Sequence, residues 1–286
     1  MKQVIILLIG ISMCLTGLAQ TDSTARTPGT KDSTVTESDT IRVGGMIIIK
    51  KRRNYDDDNN NEAKTYHRNT KSSRVKTNWG IVDLGFANYN DQTDYKSSAV
   101  QSPADGFAPG LGKDQFKLRP GKSVNVNIWA FMQKLNIAKG IVNLKYGLGV
   151  ELNNYHYKEP ILYRTSPTQV VLDNSRNYTK NKLAADYVTI PVMLNFNFTP
   201  HRKHGYGFSV GASAGYLYSS RQKTITNTDG KQKEHDDFDL KPWKLSYIAE
   251  LGLGPVKIYA SYAAVSMFDK GLDQRPYNFG LRLSNF

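Results

Sequence analysis

Cysteine is almost missing from this chain of 286 residues: the only one is Cys14. Because Cys14 lies in an N-terminal apolar stretch that is expected to be removed, disulfides, thiolate metal sites and a cysteine nucleophile are excluded. Long hydrophobic runs are missing as well. The apolar run 4–11 is too brief to cross a bilayer, and a mean hydropathy of −0.50 excludes a bundle of membrane helices. Acidic residues are comparatively scarce, Asp+Glu 25 against Lys+Arg 38, and the resulting +13 points to an anionic partner. The sequence also lacks a glycine-rich phosphate loop, a nucleophile elbow and metal-ligand spacing on a rigid element, so no cofactor is expected.

What is present begins with a leader. Met1-Lys2, the apolar run 4–11 and the small-x-small site Gly17-Leu18-Ala19 before Gln20 read as a secretory signal peptide over residues 1–19, cleaved between Ala19 and Gln20. Met13, ahead of Cys14, is larger than lipoprotein processing tolerates, which argues against a lipid anchor. Export makes nucleic acid an unsuitable partner for the positive charge.

Residues 20–78 are dominated by Thr, Ser, Asp, Asn and Lys. Such a segment buries too little apolar surface to offset its chain entropy, so a mostly disordered periplasmic segment is expected. Within it, 40–53 carries two β-prone runs flanking Gly44-Gly45 and then Lys50-Lys51-Arg52-Arg53, the pattern of a local hairpin or of a strand that docks on a partner's sheet. The acidic run 56–62 lacks the alternate spacing and central glycine of a calcium loop and reads as linker.

From Trp79 onward, apolar residues recur at every second position. Val142, Leu144, Tyr146, Leu148, Val150 and Leu152 share one face, with Asn143, Lys145, Gly147, Gly149, Glu151 and Asn153 on the other. Period two means strand. In 206–218, Tyr206 and Phe208 at one end and Tyr216 and Tyr218 at the other bracket Val210, Ala212 and Ala214. At about 3.3 Å per residue this run spans about 40 Å, or about 30 Å along a membrane normal once tilted, enough for an apolar band between two aromatic girdles.

Eight strands follow, at 80–89, 123–135, 141–157, 183–198, 205–220, 243–254, 256–268 and 277–286. Connections alternate between long (90–122, 158–182, 221–242, 269–276) and tight, as in outer-membrane barrels with short periplasmic turns and both chain ends in the periplasm. The expected architecture is all-β: an eight-stranded antiparallel transmembrane β-barrel over residues 79–286, preceded by the signal peptide and the periplasmic segment. The last residue, Phe286, is the terminal aromatic that barrel-assembly machinery reads.

Asn78-Trp79-Gly80, Asp83-Leu84-Gly85-Phe86, Asn143 to Gly149 and Tyr187-Val188-Thr189-Ile190-Pro191-Val192-Met193-Leu194, with Phe286, resemble the PorT-like outer-membrane β-barrel proteins of Bacteroidetes-type bacteria. The resemblance spans Trp79 to the C-terminus, and its most specific element is a proline inside a strand, Pro191. It implies the barrel fold and an outer-membrane location; most members of that family have no assigned activity, and a few are similar to accessory factors of a surface-protein secretion system, which would pair this chain with a periplasmic or secretion-system protein partner.

Candidate functional residues follow from the faces. Asp83, Lys145, Glu151, Lys244, Glu250, Lys257 and Arg282 fall on inward positions, and charges confined in an eight-stranded lumen need partners, so they should form an ion-pair network that plugs the barrel. Lys117, Arg119, Lys122, Arg221, Lys223, Lys241 and Arg275 lie near strand ends, placed for phosphates of outer-membrane lipid and lipopolysaccharide. Of the five histidines, His67, His201, His204 and His235 fall in linker, turn or loop, and only His156 sits at the depth a lipid-A-modifying hydrolase would need. The apolar loop stretches 160–163 and 170–172 imply a hairpin above the membrane or a covering partner. The expectation is a barrel with a structural, interaction or assembly-accessory role and no catalytic site; the alternatives are that hydrolase and a narrow channel.

Overall fold

A computed structural model of the chain describes residues 39–43, 46–50, 74–200, 205–254 and 256–283. The signal peptide with Cys14, the cleavage site at Ala19 and Gln20, the acidic run 56–62, His67, His201, His204 and Phe286 lie outside the described residues. The chain divides into two compact units, residues 1–68 and 69–286. In the first, β1 (Asp39–Val43) and β2 (Met46–Lys50) pair antiparallel, with Asp39 opposite Lys50 and Val43 opposite Met46. The two β-prone runs pair with each other, as their Gly-Gly connection suggests.

The second unit contains β3 (Val75–Asp91), a short helix α1 (Ser98–Gln101), β4 (Val124–Ala138), β5 (Val142–His156), a hairpin of β6 (Ile161–Thr165) and β7 (Thr168–Leu172), β8 (Tyr178–Asn197), β9 (Tyr206–Thr226), β10 (Gly230–Glu234), β11 (Trp243–Leu253), β12 (Val256–Ala263) and β13 (Gln274–Leu283). The eight long strands close a ring in the order β3-β4-β5-β8-β9-β11-β12-β13, with β13 returning to β3 and every pair antiparallel. Closure leaves no unpaired sheet edge around the ring. Among the described residues no helix is long and apolar enough to cross a membrane.

The alternation resolves into faces opposite to those of a soluble barrel. Leu84, Phe86, Ile190, Val210, Leu245, Phe279 and Leu281 point outward and are exposed, whereas Asp83, Asn125, Lys145, Glu151, Glu250 and Arg282 point inward and are buried. A wall that is apolar outside and polar inside needs a nonaqueous surround. Two bulges keep this polarity while shifting the phase. One extra residue, Ala130, sits between the pairs Trp129↔Gly149 and Phe131↔Leu148, and Tyr218 sits between Leu217↔Tyr187 and Ser219↔Asp186.

Several strand limits differ from those expected from the sequence. β3 begins at Val75, inside the stretch expected to be disordered, and Val75 to Asn78 pair with Leu135 to Met132 of β4. β8 begins five residues earlier, at Tyr178 instead of 183, and β9 runs to Thr226, where β10 pairs with it. Conversely, β12 stops at Ala263. The extensions were missed because they are mostly polar on both faces, and apolar alternation marks only the part of a strand opposite lipid. Pro191 pairs with Ser213 on β9, but the β5–β8 ladder passes from Tyr146↔Val192 to Gly149↔Thr189 without a pair at Pro191. A proline has no N–H to give that side.

Small residues on the inner wall face large ones. A Cβ on Gly149 would come within 2.5 Å of the Ile128 carbonyl and 2.7 Å of the Trp129 ring. Gly149→Val should therefore destabilise the barrel by about 1–3 kcal/mol through overpacking. Gly121→Ala, where nothing lies within 4 Å, should leave stability unchanged. Urea midpoints in lipid vesicles, followed by the change in gel mobility that accompanies barrel unfolding, check both.

Candidate functional site

The middle of the lumen is built on Asp83, whose carboxylate accepts from Arg282 Nε and Nη2 (2.6 and 2.7 Å), from Trp129 Nε1 (2.7 Å) and from Asn127 Nδ2 (3.2 Å). Asp83 and Arg282 are register partners on β3 and β13, the first and last strands of the ring. Arg282 also meets Glu250, which receives the Lys145 ammonium and a bond from Ser209 Oγ (3.2 Å). Glu151 takes the Lys244 ammonium and accepts from Asn278 and Asn153 at 3.0 and 3.2 Å. Asn125 continues the chain of bonds, donating to Asn127 and Asn153 and accepting from the Tyr259 hydroxyl at 2.6 Å. The seventh expected residue, Lys257, lies buried beside them, opposite Arg282 on β13. All seven therefore face one interior, with four cations answered by three carboxylates and an amide-rich shell. Arg282 additionally lies over the Trp129 ring, 5.3 Å from its centroid.

This middle layer leaves little space. A cavity of about 30 Å³ beside Trp129, Glu151 and Arg282 has room for one water. Toward the tight turns the interior widens into a cavity of about 340 Å³ lined by Lys76, Lys134, Lys145 and Glu250 among others.

Toward the long loops the interior is filled by apolar side chains. Phe107, Phe116, Tyr163, Val170, Phe238 and Phe268 are buried in one cluster that also takes Tyr155 and Tyr187 from the barrel wall. Tyr163 of β6 stacks on Phe268 at 5.9 Å, meets Phe238 edge-on at 5.8 Å, and shares a 2.8 Å hydroxyl contact with Tyr157. Gln222 of β9 accepts from the Tyr163 N–H and donates to the Ile161 carbonyl, each at 2.9 Å, pinning the β6–β7 hairpin. The apolar loop stretches thus form a hairpin whose buried residues are covered by the chain's own loops.

The seven basic residues expected near lipid phosphates divide. Lys117, Arg221 and Arg275 already hold carboxylates: Asp114 at 2.6 Å, Asp186 at 2.5 Å and Asp273 at 3.1 Å. The Arg119 guanidinium donates to the Lys158 carbonyl at 3.4 Å, and Lys241 is tied to Met267 through its backbone N–H. Lys122 is exposed, and Lys223 faces outward on the upper part of β9, level with Lys182 of β8 and Lys233 of β10. Lys180, Lys182, Lys231 and Lys233 were not anticipated, although Lys-x-Lys spacing in 180–182 and 231–233 is itself a period-two signal.

His156 ends β5 beyond the apolar outward positions, opposite Lys182. Burial, then Lys180, Lys182, Lys122 and Arg119, pull its pKa down to about 4, so the imidazole is neutral at neutral pH. Its electrostatic neighbours are cations, the reverse of what a catalytic histidine needs from an orienting carboxylate. His235 is exposed in the loop after β10. Among the described residues no group of three or more His, Cys, Asp or Glu could hold a metal ion.

A family model described as an outer membrane protein beta-barrel domain matches residues 79–264. The chain belongs to that family. An outer-membrane barrel explains the exposed apolar wall, and the structure adds β13 beyond the matched span as the strand that closes the ring. No curated protein matches the chain.

In this outer-membrane barrel, Asp83→Asn leaves the Arg282 guanidinium with one carboxylate fewer in a buried site. A loss of about 3–5 kcal/mol in unfolding free energy is expected, with most of it recovered in Asp83→Asn combined with Arg282→Met, since the pair is then removed together. Equilibrium urea unfolding followed by tryptophan fluorescence measures both; equal damage in the single and double variants would contradict the assignment.

Proposed function

We propose that the protein is a non-conducting, non-catalytic outer-membrane barrel that serves as a structural or assembly-accessory component and presents an ordered lobe of loops at the cell surface. The observation that carries this reading is the double filling of the lumen, ionic in the middle and aromatic toward the long loops. A passage for solutes needs a continuous wet path, and the aromatic cluster interrupts one. The cationic surroundings of His156 support the non-catalytic part. The resemblance to PorT-like proteins of Bacteroidetes-type bacteria, in a Gram-negative envelope, supports an accessory role with a periplasmic or secretion-system partner. The leader pattern over residues 1–19 supports export. Alternation of long and tight connections supports both chain ends in the periplasm.

Planar bilayer recordings of the full chain should show no stable steps of conductance. Wide, long-lived openings would overturn the sealed-lumen reading. Orientation is open to single-cysteine labelling, because the chain after the leader has no thiol. Thr228→Cys, in the exposed turn between β9 and β10, should react with an impermeant maleimide on intact cells, whereas Ala138→Cys, exposed at a tight turn, should react only after the outer membrane is opened. The opposite pattern would invert the topology.

A further inference from the structure

Strands β5, β8, β9 and β10 rise beyond the exposed apolar band on the long-loop side, and there the outward face changes character. On β9 the outward series Val210, Ala212, Ala214, Tyr216 and Tyr218 gives way, after the bulge, to Arg221 and Lys223. The pairing register then sets His156 opposite Lys182, Lys182 opposite Lys223, and Lys223 opposite Lys233, one continuous row across four strands. At about 4.8 Å between strands the row is about 14 Å wide. A second row lies directly above, with Lys180 and Lys231 flanking Ile225.

Like charges directly opposite each other in a sheet are destabilising, so three lysines in one row need a reason. No carboxylate supplies it. Asp186, the acid on the same face, is held by Arg221 at 2.5 Å, and Glu234 pairs opposite Gln222, which points into the lobe. Among the described residues none of the five lysines has a carboxylate within ion-pair distance, and Lys182 instead donates to the Asn154 amide oxygen. Burial first, and then Lys180, Arg221 and Lys223, lower Lys182 to about 8, and Lys223 is lowered in the same direction by burial and its lysine neighbours.

We propose that the row Lys182, Lys223 and Lys233, with Lys180 and Lys231 above it, is a binding face for the phosphate groups of an outer-leaflet glycolipid. The occupant follows from position. The rows continue the lipid-facing wall immediately above its exposed aromatic residues Tyr216, Tyr218 and Trp243, so the molecules opposite them are lipids of that leaflet and the groups at that height are headgroups. Lysine positions about 5 Å apart along a row and about 7 Å apart along a strand let flexible ammonium groups converge on one phosphate, two or three at a time. The inference rests on the long-loop end facing outward, which the cysteine labelling above tests separately.

The test uses the full chain purified in detergent and diphosphorylated lipid A as the probe, with bound lipid counted by native mass spectrometry. Wild-type protein should retain lipid A in a salt-sensitive manner. The triple variant Lys182→Gln, Lys223→Gln, Lys233→Gln should bind roughly a hundredfold more weakly, about a factor of five per lysine. A control variant, Lys96→Gln with Lys113→Gln, changes loop lysines away from this wall and should bind as wild type. Freed of its repulsion, the lipid-free triple variant should unfold at a urea concentration no lower than wild type, which separates loss of binding from loss of folding. Equal retention by the triple variant would overturn the proposal, as would equal retention of lipid A stripped of both phosphates. Displacement of the lipid by millimolar inorganic phosphate would overturn the lipid assignment in favour of a site for free phosphate.

Discussion

The first and last strands of the ring must meet for any of this structure to exist, and at the centre of that seam Arg282 of β13 grips Asp83 of β3 through two hydrogen bonds of 2.6 and 2.7 Å. Backbone pairing alone would allow the seam to slip. A shift of one residue would turn Arg282 toward lipid and leave Asp83 buried without a cation, at a cost of several kcal/mol. The buried pair therefore acts as a register key. Because Asp83 also receives the Trp129 and Asn127 donors, and Arg282 also reaches Glu250, the key holds β4 and β11 in place through the same two side chains.

Two kinds of filling divide the interior by height. Charged side chains can occupy the middle because its carboxylates meet cations there, whereas the end below the long loops is closed by Phe and Tyr rings that exclude water by area, with the Tyr157 and Tyr163 hydroxyls bonded to each other. The bulge at Tyr218 marks the boundary on β9. Below it, residues of odd number face the lumen; above it, even-numbered residues do, and Gln222 reaches in to hold β6. One extra residue thus lets the strand leave the lipid band and still aim its amide at the lobe.

The outside of the wall is also divided by height. Its apolar part explains itself through the bilayer, but the lysine rows above make no sense as an isolated sheet. The proposed phosphate face would relieve their repulsion, and the extended ends of β8 and β9 place it beyond the apolar band.

Much of this was legible in the sequence, and the limit of legibility has a physical cause. The alternation in 142–152 and 206–218 displayed the wall, because lipid on one side and a polar lumen on the other impose period two. The same inward positions displayed Asp83, Lys145, Glu151, Glu250 and Arg282. Strand ends at Val75, Tyr178 and Thr226 were not legible, since water on the outer face permits any polar residue and erases the contrast. Trp129 was not legible as a lumen residue either: it keeps the inward phase of Asn125 and Asn127, but a bulky ring in such a strand reads as part of the lipid-facing aromatic girdle. Local pattern alone determined that this chain is a barrel wall, and which charged residues of the membrane-facing stretches face inward, because that information lies in the alternation of neighbours. Which acid meets which base, how the loops seal one end, and that Lys182, Lys223 and Lys233 stand side by side were decided only in the tertiary structure. Those facts depend on strand register, and register joins residues far apart in the chain.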